Sequence, residues 1–142
     1  GDDAIDQAGI DDLLNDPRIN NIVSLMRFAD GLRLMHDEKM ADAARLFSEA
    51  FELDTNRPLA LLRQGHCLIK NKQFGEALDI ADIGRSLFPG KGEFTFLAAR
   101  AAFGLRRLDE SRALAELALE YPQQRRSAEA FLAMIAKMQS GC

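Results

Sequence analysis

Residues 59–89 read LALLRQGHCLIKNKQFGEALDIADIGRSLFP, and this stretch decides the fold. In its first half Leu59, Leu62, His66 and Ile69 recur at helical spacing on one face, while Leu61, Gly65 and Leu68 form a second stripe beside them. Both faces of that helix therefore expect neighbours. A break at Asn71, Lys72 and Gln73 precedes a second helix carrying Ala77, Ile80, Ala81, Gly84 and Leu87. Pro89 ends it, because proline cannot continue the hydrogen-bond ladder. Gly65, Ala77 and Gly84 stand where the two helices and the next hairpin must approach most closely. The pattern is one of packing, not of chemistry.

Sliding the hairpin by 34 residues shows that it repeats. Upstream, Gly65, Ala77 and Gly84 fall on Gly31, Ala43 and Ala50; downstream they fall on Ala99, Ser111 and Ala118, all of them small. Phe74, just past the turn, falls on Met40 and Leu108, and the closing Leu87 falls on Leu53 and Tyr121. A helix–turn–helix period of this length with small residues at these offsets resembles the tetratricopeptide repeat over residues 24–123. The resemblance implies an all-α, right-handed superhelical array of antiparallel helix pairs.

The sequence departs from the family pattern in places. Arg27, Leu61 and Thr95 replace the usual bulky aromatic near the start of the first helix, and Asp30, Gln64 and Ala98 replace a leucine. The first repeat is the most degenerate. Its Arg27 and Asp30, three apart, are expected to pair at the surface for about 0.2–0.5 kcal/mol, marking the polar end that a solenoid requires.

At 142 residues, 47% hydrophobic and 28% charged, the chain is long enough for a continuous helical core. No apolar run is long enough to span a membrane, and no basic-then-apolar leader is present. Gly1 in place of Met implies a trimmed or processed chain and leaves the compartment open between cytoplasm and periplasm. Two cysteines, Cys67 in mid-helix and Cys142 at the last position, make no disulfide framework.

Charge is unevenly spread. Residues 1–16, GDDAIDQAGIDDLLND, hold six Asp and neither Lys nor Arg, a charge of −6 that leaves +2 for the rest of a chain whose total is −4. Gly9 and the Asp density disfavour helix here, so a disordered or loosely docked acidic arm is expected. Its Ile5, Ile10, Leu13 and Leu14 also allow it to fill the protein's own groove or a neighbour's.

Asp16 followed by Pro17 is a strong helix start. The reading is then a helix over 17–36, whose extra turns with Ile19, Ile22 and Val23 shield the open end of the core, and a second over 41–53. Repeats are placed at about 24–57, 58–91 and 92–125, within a single domain over 17–142. Residues 125–139 carry Phe131, Leu132, Ile135 and Met138 on one face, with Ala133 at the next period after Ala99. They are read as a capping helix, with a partner-binding tail as the alternative.

Catalysis has little to stand on: two His, one Tyr, and neither a glycine-rich phosphate loop nor a nucleophile elbow. His66 and Cys67 are adjacent, so on a helix they point about 100° apart and do not face each other as base and nucleophile would. His36 and His66 alone fall short of a metal's usual four ligands, and neither metal nor cofactor is expected. Arg100, Arg106, Arg107, Arg112, Arg125 and Arg126 make the C-terminal third mildly basic, yet a pI near 5.2 and interleaved acids argue against nucleic acid. An acidic peptide is the more economical partner for these arginines.

The resemblance implies where function lies, because first helices of successive hairpins line a concave surface. It maps that surface onto Leu25, Phe28, Leu32, Met35 and His36 in the first repeat, and onto Leu59, Leu62, His66, Ile69 and Lys70 in the second. The third supplies Glu93, Phe96, Arg100 and Phe103. The apolar members are either core or an exposed binding strip. Family members that clamp a C-terminal carboxylate use Lys, Asn and Arg where this chain has Phe28, Leu32, Leu59 and Arg63, so no such clamp is expected. Groove polarity looks more like that of the three-repeat chaperones of bacterial type III secretion. The expectation is a non-catalytic interaction module binding an apolar or amphipathic segment, with His66, Lys70 and Arg100 orienting it. Self-association, or recruitment for a larger enzyme or secretion system, is the alternative.

Overall fold

Proline and glycine punctuate the chain where helices start and stop. The computed structural model describes residues 7–141, the side chain of Leu14 excepted. The helices are α1 (Gln7–Leu14), α2 (Pro17–His36), α3 (Met40–Leu53), α4 (Pro58–Lys70), α5 (Phe74–Leu87), α6 (Gly92–Gly104), α7 (Leu108–Ala118) and α8 (Arg125–Ser140). Pro17 opens α2, and the Asp16 carboxylate caps it by accepting from the Arg18 N–H at 2.9 Å. Hydrogen bonds from the Arg18 side chain and backbone hold the Asp16 carboxyl below its usual range. Pro58 opens α4 in the same position.

Three turns repeat the period in the backbone. Glu38, Lys72 and Arg106, 34 residues apart, are left-handed with φ of 62°, 61° and 63°. After each, an N–H reaches back over the helix end: Lys39 to the Leu34 carbonyl at 2.9 Å, Gln73 to Leu68 at 2.8 Å, Arg107 to Ala102 at 3.0 Å. This Schellman closure usually places glycine at the left-handed position. A side chain there costs about 1 kcal/mol.

From α2 to α8 each helix packs on the next, giving a right-handed superhelical array of antiparallel pairs, α2/α3, α4/α5 and α6/α7, followed by α8. α4 also meets α6 directly, whereas α2–α4, α3–α5 and α5–α7 make at most slight contact. In a superhelical array of this kind the first helices, α2, α4 and α6, form the inner side.

All nine small positions of the repeat are buried. A Cβ on Gly31 would lie 2.8 Å from the Phe47 ring, and one on Gly84 would overlap the Phe94 ring of the next hairpin. Phe51, Phe88 and Phe94 link α3 to α6, with Phe88 and Phe94 stacked at 6.0 Å. Such aromatic pairs are worth about 0.5–1.5 kcal/mol beyond area burial. Two buried hydroxyls serve the same seams: Ser24 donates to the Ala50 carbonyl at 2.6 Å, and Ser111 to that of Ala99 at 2.7 Å.

Several expectations are corrected. Helix is not disfavoured over Gln7–Leu14, where Gln7 donates to Asp11 one turn on at 3.0 Å; this part of the arm touches α2 only lightly, as a loosely docked arm would, and Ile5 with the rest of residues 1–6 lies outside the described residues. Arg27 does not pair with Asp30; it reaches Glu49 on α3 at 3.4 Å, and Asp30 pairs with Arg33. Ile22 does not shield the core, since it is 57% exposed. On α8, Ile135 is buried but Met138 is half-exposed, and Ala133 is exposed.

Candidate functional site

The inner face offers its side chains from the three first helices. Phe28, Met35, Leu62 and Ile69 are half-buried and lean on the core, with Phe28 edge-on to Phe47 at 5.4 Å. Leu32 and Leu59 remain open, at 37% and 46% exposure, and His36 and Lys70 are exposed at the ends of α2 and α4. Phe96 and Phe103 stand apart from the core cluster. The Phe131 ring of α8 sits between them, edge-on to each at 5.5 and 5.6 Å. The apolar strip read from the sequence is thus split: its α2 and α4 part faces outward in places, and its α6 part is occupied by the chain itself.

Between these regions lies a cationic group. Arg63, His66 and Lys70 follow one another along α4, and Arg100 comes from α6, close enough that Arg100, Arg63 and Lys70 all act electrostatically on His66. Burial, followed by those charges, lowers the His66 imidazole to about 4, so it is neutral at pH 7. Burial likewise lowers Arg100 from its ordinary value. Cys67, one residue along, is fully buried in the core, and burial raises its thiol. It offers no exposed nucleophile. Among the described residues no group of three His, Cys, Asp or Glu gathers as a metal site would.

Two cavities border α6, one at its seam with α4 and the other toward α7 and α8. One of about 190 Å³ is lined by Pro58, Leu59, Leu62, Lys91, Glu93 and Phe94. The other, about 420 Å³ and mostly apolar, is lined by Phe103, Gly104, Arg106, Leu108 and Met138.

Sequence reasoning assigned Phe131 to a cap and not to the inner face, because nothing in its own neighbourhood says where α8 docks. Arg63 entered only as a non-matching clamp position. A signal for it was present: neither Arg63 nor Arg100 has an acid three or four residues away, unlike Arg33, Arg45, Arg57, Arg85, Arg107 and Arg112. Those six each pair with such a neighbour in the structure.

No family model and no curated protein sequence matches the chain, so the likeness is one of shape. The chain superposes on the first tetratricopeptide domain of Spaghetti (RPAP3), bound to the HSP90 peptide SRMEEVD, with a TM-score of 0.76 and 18% identity, covering 84% of this chain and 95% of that one. The OM64 tetratricopeptide domain of Arabidopsis gives 0.75 at 16% identity, over 83% and 98% of the two chains. The Yersinia enterocolitica type III secretion chaperone SycD, in complex with a peptide of the translocator YopD, gives 0.71 at 20% identity, over 81% and 93%. No helix among the described residues is long and apolar enough to cross a membrane.

Proposed function

Because the chain folds as a tetratricopeptide-repeat array, we infer that it works as a non-catalytic protein–protein interaction module, an adaptor or chaperone-like scaffold that holds an apolar or amphipathic segment of a partner on its inner face. One observation carries this reading. Leu32 and Leu59 stay exposed, and Met35, Leu62 and Ile69 are half-buried, giving an apolar surface that the packing of the described residues leaves uncovered. Neighbours of the same shape have been captured with peptides of HSP90 and YopD, which supports the same use of this surface.

Selection from a random-peptide display library tests it. Binders are expected to be lost on Leu32→Glu and Leu59→Glu, and retained on Ile83→Glu and Leu117→Glu, which alter exposed apolar residues of the second helices. An empty selection, or loss on the second-helix variants instead, would end the proposal.

A second reading is favoured by the open end of the stack. Ile22, Leu25 and Met26 are exposed on one face of α2 at helical spacing, a surface suited to a second copy. Sedimentation over a concentration series decides it: a monomer throughout rules this reading out.

A further inference from the structure

Arginines that lie partly buried in this protein are paired, with two exceptions. Arg27 meets Glu49 at 3.4 Å, Arg57 meets Asp54 at 3.6 Å, Arg85 meets Asp82 at 3.7 Å and Arg112 meets Asp109 at 3.8 Å. Arg63 and Arg100 are also withdrawn from solvent, yet among the described residues neither they nor Lys70 have an ion-pair partner. The Nε of Arg63 is buried without any hydrogen-bond partner. A withdrawn charge without a counter-ion is costly, and folded chains ordinarily pair it. Here the cost falls on one spot, where α4 and α6 face each other on the inner side, next to the Leu59–Leu62 cavity.

We propose that Arg63 and Arg100, with Lys70 at the rim, form an anion site that receives an Asp or Glu side chain of the bound peptide. The proposal rests on the inner face being the peptide-binding surface, and it names the ligand class as acidic and apolar together. Guanidinium groups suit this role because their planar donors match a carboxylate with two parallel hydrogen bonds. The site is suited to a side chain and not a chain end, since along α4 apolar Leu59 and Leu62 precede it and Ile69 follows it, so an extended peptide runs on past the charge. Lys70 is exposed and adds field more than contact. His66, neutral at pH 7, neither adds to nor opposes that field.

The test uses the same display selection, in which the peptides carry no free C-terminus, run in parallel on the wild-type chain and on Arg63→Gln/Arg100→Gln. Wild-type binders are expected to be enriched in Asp or Glu set among apolar residues, and binders of the variant are not. One selected acidic peptide, synthesised with an amidated C-terminus, is then measured by fluorescence anisotropy. Changing its acid to the amide, or changing the two arginines, is expected to weaken binding tenfold or more, and making both changes is expected to add little further. Both glutamine variants remove an uncompensated charge, so they should melt no lower than wild type; Lys70→Gln, at the exposed rim, gives a smaller loss of the same sign. Apolar binders without acid enrichment would overturn the anion site while leaving the interaction module intact. Absence of any inner-face binder would overturn the module itself.

Discussion

The two ends of the stack meet solvent in different ways. At the C-terminal end α8 buries Ile135 and sets Phe131 between Phe96 and Phe103, so the last repeat is closed and its inner aromatic surface is taken. At the N-terminal end α1 touches α2 lightly, and Ile22, Leu25 and Met26 stand more than half exposed on α2. A repeat array must end somewhere, and each terminal face is one that an interior repeat would have covered. Among the described residues, α8 covers one of these faces and the other is largely bare. The usable groove is therefore displaced toward α2 and α4, with the unpaired arginines at its far boundary.

The contrast can be broken at the closed end first. Ile135→Ala should lower stability by about 3 kcal/mol in urea unfolding, with loss of amide protection in α8. Phe131→Ala should lower it by about 2 kcal/mol, combining lost burial with two edge-to-face contacts. It should also uncover Phe96 and Phe103, read out as increased binding of an apolar dye. At the open end Leu25→Ala should change stability by less than about 0.5 kcal/mol. An effect there equal to that of Ile135→Ala would mean that the bare face is covered in solution.

A titration sharpens the picture of the middle of the groove. The folded imidazole of His66 sits near 4, against an ordinary 6.5. Between those values the unfolded chain binds a proton that the folded one refuses, so this group's contribution is present above pH 6.5 and is lost as pH falls toward 4. The expected loss is about 1–3 kcal/mol, seen as a falling urea midpoint. His66→Gln should flatten that part of the profile. Arg63, Lys70 and Arg100 all face the group with like charge, and a bound carboxylate should oppose the loss.

A modest gain is expected in the turns. Lys72→Gly should raise stability by about 0.5–1 kcal/mol, because the left-handed backbone no longer carries a Cβ. The same change at the neighbouring Gln73, the N-cap of α5 with an ordinary negative φ, should not.

Helix positions were legible because the signals that set them are local. Asp16 with Pro17 fixed the start of α2, Pro58 that of α4, and the small residues at Gly65, Ala77 and Gly84 carried the period that the backbone repeats at Glu38, Lys72 and Arg106. Of the helices given bounds, α3 begins one residue earlier than read and α8 runs one residue longer. What failed was non-local or a balance of weak terms. The arm's helix depends on side-chain bonds such as Gln7 to Asp11 that offset a poor propensity. Arg27 had two acids within reach, and only the fold decides for Glu49 over Asp30. The docking of Phe131 follows from where α8 lands after the turn through residues 119–124, which no periodicity encodes. His66, Lys70 and Arg100 were read as orienting groups, and their lack of counter-ions was written in the same spacing, as a missing acid.

Gly65 and Gly84 have a mechanical meaning as well. The Leu97 and Phe94 side chains of α6 fill the space a Cβ would need at these two positions, so α4 and α5 seat against α6 at van der Waals distance. The curvature of the trough is then fixed when the helices assemble, like the bend of a keystoned arch, and not when a ligand arrives. Most of the ordering entropy of recognition falls on the incoming segment. A partner already stiffened to the trough's arc would gain more in affinity than one with additional contacts.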